Sequence, residues 1–152
     1  MTRETAFQYL RAVGAEYAAA KCAVEEAHRI ARVNPTVPFA DLMKVQPSDF
    51  RDCLGNLDAT YILRLFAEFE ALLRDYRTTA TRITKSRRTM TEALLDAVAK
   101  KRYVDDRTLA AAHEVRELRN RIAHHRDFRT NPSLKLALSV LNKFVSFLPI
   151  RW

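Results

Sequence analysis

Apolar residues set the rhythm of the chain. Leu10, Val13, Tyr17, Ala20, Val24, Ala27 and Ala31 recur at three- and four-residue steps through a stretch without proline, the spacing that lines one face of a helix. The pattern predicts a long amphipathic helix from Arg3 to Val33, ended at Asn34-Pro35 because the residue before proline is pushed out of helical geometry. Its alanines leave room for a close helical neighbour, from this chain or from a second copy. Pro35, Pro38 and Pro47 then mark a connecting loop with about one helical turn at Asp41 to Val45.

Ser48 is placed to cap a short helix carrying Phe50 and Leu54, with Asp49 and Asp52 in its first turn, and Gly55-Asn56 is expected to break it. From Leu57 to Arg82 a stripe of Tyr61, Ile62, Leu65, Phe66, Phe69, Leu72, Leu73 and Tyr76 is wider than one neighbour can bury. That stretch is the expected central helix, and its aromatics, at helical spacing, read as core. Arg82 to Arg88 holds four cations without apolar periodicity. It reads as a solvated linker whose Arg87 and Arg88 are also candidates for contact with an RNA backbone.

Thr89 followed three residues later by Glu92 fits a capping box ahead of Leu94, Leu95 and Val98. Lys100, Lys101 and Arg102 suit the negative end of that helix. Asp105-Asp106 opens the next helix, with Leu109, Ala112, Val115, Leu118 and Ile122 as its buried face. Asn131-Pro132 offers a cap and a first-position proline for a last helix along Leu134, Leu138, Leu141, Val145 and Leu148, which Pro149 ends. No internal repeat appears, and the fold class is all-α.

Composition narrows the picture. The chain has 152 residues, 48% hydrophobic and 29% charged, the profile of one soluble globular domain spanning 1–152. Two glycines and five prolines leave few tight turns for a sheet-rich fold. Cys22 and Cys53 stand apart with no second pair near either, so neither a disulfide framework nor a zinc knuckle is expected, and both read as reduced, packed thiols. No apolar run is long enough to span a bilayer and the N-terminus lacks a signal-peptide pattern, which makes the cytoplasm the default location. Lysine and arginine outnumber aspartate and glutamate 26 to 18, for a net charge of +8. Nineteen of those cations are arginine. A solvated basic surface and attraction to nucleic acid follow equally from that balance.

The candidate chemistry lies in Val115 to Asp127, which carries four arginines, an asparagine and the adjacent His124 and His125. Arginine holds phosphate oxygens in a fixed fork, and histidine moves protons near neutral pH. With Val115 at zero on a helical wheel, Leu118 falls at about 300° and Ile122 at about 340°, whereas Arg119 falls at about 40°, Asn120 at about 140° and His124 at about 180°. Arg119 therefore borders the core stripe and requires a buried partner or a cleft. For Arg119 and His124 to meet at one phosphate, the helix must end or bend near Ala123.

Arg119-Asn120-Arg121-Ile122-Ala123-His124 resembles the motif of the HEPN (higher eukaryotes and prokaryotes nucleotide-binding) superfamily, in which arginine, commonly followed by a polar residue, is separated from histidine by four to six intervening residues. The resemblance implies a four- to five-helix up-and-down bundle that dimerises, so that two motifs face one cleft and cut RNA without a metal or cofactor. It also implies a toxin or other defence component, with a nucleotidyltransferase-type antitoxin as the kind of partner. On that reading His124 does the proton work, Arg119 stabilises the phosphate charge, Asn120 supplies an orienting hydrogen bond, and Arg116 and Arg121 position RNA. His125 matches the spacing too, behind His124. Arg107 and His113 also satisfy it with five residues between, but Arg107 opens the helix and His113 lies inside it. The chain contains no HExxH, no Walker loop and no nucleophile elbow. A non-catalytic module of the same fold, gripping RNA or a partner, is the alternative, and a plain helical scaffold is a third.

Overall fold

The computed structural model describes residues 1–33, 45–81, 90–124 and 133–152. Residues 34–44 of the expected proline loop, the basic linker with Arg87 and Arg88, Thr89 of the expected capping box, and the expected turn with His125 and Asn131-Pro132 lie outside the described residues. Among the described residues there are five helices and no strand: α1 (Arg3–Val33), α2 (Pro47–Thr81), α3 (Thr91–Arg102), α4 (Asp106–His124) and α5 (Leu134–Val145). None is long and apolar enough to cross a membrane.

Where the sequence suggests two helices split at Gly55, the chain forms one, α2, of 35 residues. Phe50, Leu54, Leu57 and Tyr61 keep helical phase across the glycine, so packing against α1 continues and outweighs the roughly 1 kcal/mol that a helical glycine costs. Pro47 supplies a first-turn position that needs no N–H donor. α1 and α2 run antiparallel: Tyr17 stacks edge-on against Tyr61, Arg64 pairs with Glu16, and further out His28 stacks on Phe50. The buried residues of α1 are Ala6, Leu10 and Val13, while on α2 burial begins at Leu57. The far half of this helical hairpin therefore extends beyond the main core. Cys22 and Cys53 lie there and are exposed, where the sequence reading has them packed.

α2 is the central element, contacting α1, α3, α4 and α5. Its Phe66 and Phe69 are fully buried with Leu65 and Leu73, and Phe69 meets Phe144 of α5 edge-on at 5.4 Å. The bundle is not simply up-and-down. Thr91 at the start of α3 bonds Glu70, and Lys101 near its end bonds the Ala80 carbonyl 3.1 Å away near the end of α2, so α2 and α3 run the same way. Periodicity carries no direction.

The ends of the helices differ in detail from the sequence reading. Met90 is the cap of α3 and no side chain bonds there, leaving Glu92 to pair with Arg116 instead. Ser133 caps α5, accepting from the Leu136 N–H, and the helix stops at Val145 with Leu148 buried in the turn beyond. Asp105 caps α4 as expected, receiving the Thr108 N–H at 2.8 Å and its hydroxyl at 2.9 Å, bonds that hold its carboxyl below the usual aspartate range. Tyr103, in the left-handed region at φ 54°, lets α3 reverse into α4. At the chain ends Thr2 and Arg151 form an antiparallel bridge, and the Trp152 indole donates to Asp75 at 2.8 Å.

Candidate functional site

α4 packs its apolar stripe of Ala112, Val115 and Ile122 into the core, and Leu109 and Leu118 flank it partly buried. That rotation brings Arg119 to the seam with α2. Its guanidinium lies over the Phe66 ring, 5.1 Å from the centroid, and donates 3.1 Å to Glu70 Oε2 and 3.0 Å to Asn120 Oδ1. The wheel demands a partner for Arg119, and that partner is Glu70, forty-nine residues away in sequence. The other oxygen of Glu70 accepts from Arg74, whose Nε lies 3.1 Å away.

Glu70 is a carboxylate enclosed by cations. Its side chain is 17% exposed. Burial pushes its carboxyl up, but hydrogen bonds from Arg74 and Thr91 and the charges of Arg74 and Arg119 more than reverse this, so it sits below the usual glutamate range. The E-x-x-x-R spacing of Glu70 and Arg74 is a recognisable helix pair, and it is the one signal by which the sequence could have drawn attention to Glu70.

His124 is the last residue of α4 and is exposed. The helix continues unbroken from Arg119 to His124, so the two project about 140° apart, and no hydrogen bond joins them. One copy of the chain does not bring them together. Asn120 is half-buried and engaged with Arg119, whereas Arg121 is exposed and forms no ion pair among the described residues.

Arg116 stands differently from the expectation of an RNA contact. Its side chain is only 15% exposed and pairs with Glu92 of α3 at 3.2 Å and with Glu117 at 2.6 Å. One turn earlier, His113 Nε2 lies 2.9 Å from Asp96 Oδ1. The pairs of Arg116 with Glu92 and of His113 with Asp96 fasten α3 to α4 in antiparallel register. Long-range pairings of this kind leave no local trace.

Among the described residues no group of three or more His, Cys, Asp or Glu side chains could hold a metal ion. Comparison with protein-family models, curated proteins and solved structures gives no match to this chain.

Proposed function

We propose that the chain is a metal-independent RNA endonuclease of the HEPN kind, acting as a homodimer in the cytoplasm as a toxin or defence component, with a nucleotidyltransferase-type protein as its antitoxin. The observation that carries this reading is Arg119: a guanidinium fixed at the α2–α4 seam by Glu70, Asn120 and Phe66, within one and a half turns of an exposed histidine at the helix end. Two of its five N–H donors are engaged, which leaves others for a phosphate.

In the reaction, His124 of one copy takes the proton from a ribose 2′-hydroxyl as its oxygen attacks phosphorus. His124 of the second copy gives a proton to the departing 5′-oxygen. Arg119 balances the charge that builds on the phosphate oxygens. The products are a 2′,3′-cyclic phosphate and a 5′-hydroxyl. Arg121 positions the RNA backbone, and symmetric histidines let one motif serve as both acid and base. The divergence of Arg119 from His124 within one chain makes the second copy a requirement of this mechanism.

The same divergence favours a second reading, a non-catalytic module that grips RNA or a protein partner. Purified protein incubated with total RNA in EDTA separates them. Cleavage that leaves cyclic-phosphate ends, abolished by His124→Ala and by Arg119→Ala, supports the nuclease; salt-dependent RNA binding without cleavage supports the module. Equal cutting by both variants removes these residues from the chemistry.

A further inference from the structure

Among the described residues Glu70 is the one carboxylate that touches the proposed phosphate-binding arginine, and it does so from a partly buried position at the α2–α4 seam. Its two oxygens divide the work: Oε1 takes Arg74, on the next turn of α2, and Oε2 takes Arg119 across the seam from α4. With Phe66 beneath the guanidinium and Asn120 at its side, Arg119 is held through two nitrogens and one face. A long side chain that would otherwise lose rotamer freedom on binding is already ordered.

Resting on the nuclease reading above, we infer that Glu70 is a positioning residue of the site, holding the Arg119 guanidinium in the orientation in which its remaining N–H donors meet the scissile phosphate. The charge it carries has an opposite effect on the substrate. A carboxylate beside the phosphate repels the polyanion, so Glu70 lowers RNA affinity while raising the rate of cleavage. A purely structural contact has no such divided effect, since its loss weakens folding, binding and cleavage together.

The test is Glu70→Gln, which keeps the shape and an accepting oxygen but removes the charge, with Glu70→Ala as the stronger change and thermal unfolding as a check on the fold. RNA affinity is measured by fluorescence anisotropy and cleavage by single-turnover kinetics in EDTA. Glu70→Gln is expected to bind RNA as tightly as wild type or more so, and to cut it up to about 10²-fold more slowly, the scale on which a misplaced catalytic group acts. Adding it to Arg119→Lys, which keeps a cation and a measurable rate but loses the guanidinium fork, is expected to cause no further loss of rate, because Glu70 works through that guanidinium.

A Glu70→Gln rate equal to wild type, or losses that multiply in the double variant, overturns the inference. If wild type binds RNA without cutting it, the nuclease reading falls and the cycle is read on affinity instead. Non-additive effects of Glu70→Gln and Arg119→Ala on binding then keep the positioning role, and additive effects end it.

Discussion

Asp58 caps α5 from across the bundle: its Oδ1 accepts the Leu134 backbone N–H at 2.9 Å. Its Oδ2 accepts the Tyr17 hydroxyl at 2.7 Å, so a single carboxylate ties α1, α2 and the start of α5 together. Leu134 begins a helix whose first N–H groups have no partner within it, and Ser133 satisfies only the Leu136 N–H locally, at 3.3 Å. Hydrogen bonds to a charged group are worth about 1.5–3 kcal/mol each. Asp58→Ala is therefore expected to lower stability by about 2–3 kcal/mol, and Asp58→Asn, which keeps an acceptor, by less. Urea unfolding with an unchanged slope checks this; an Asp58→Ala variant as stable as wild type contradicts it.

The two glycines make opposite cases. Gly55 lies inside α2, exposed, without positive φ, and a methyl group there meets no atom within 4 Å. Gly55→Ala removes freedom from the unfolded chain and is expected to raise stability by about 0.5–1 kcal/mol. At Gly14 the same methyl comes 3.0 Å from Leu138 Cδ2, so the α1–α5 contact must give way first. Gly14→Ala is expected to gain less than Gly55→Ala, or to lose stability. Thermal melts of the two variants side by side decide the order.

Glu70 links stability to acidity. Its carboxyl is held below the usual glutamate range in the folded protein, so the unfolded chain binds protons more readily. Its contribution is complete above the ordinary glutamate value of about 4.3 and is lost as pH falls through the lower folded value. Denaturant midpoints followed downward from neutral pH are expected to fall less steeply in Glu70→Gln than in wild type across that acidic window. Parallel curves for the two proteins tell against the ion-paired carboxylate.

Helix content was written in the chain. Leu10, Val13, Tyr17 and Val24 mark α1, and Leu94, Leu95 and Val98 mark α3, because a 3.6-residue repeat of apolar side chains needs only local spacing to be read. The same wheel places Arg119 at the border of the buried stripe, which is why its need for a partner was legible. Gly55 does not break α2 because helix propensity is a weak local term, and the contacts of Phe50 with His28 and of Tyr61 with Tyr17 continue along α1 on both sides of it. The parallel run of α2 and α3, the pairing of Glu70 with Arg119, and the burial of Arg116 between Glu92 and Glu117 were decided only by the assembled bundle. Each depends on which helices become neighbours and in which direction they lie. That is a property of how five apolar stripes bury one another, and no single stripe contains it.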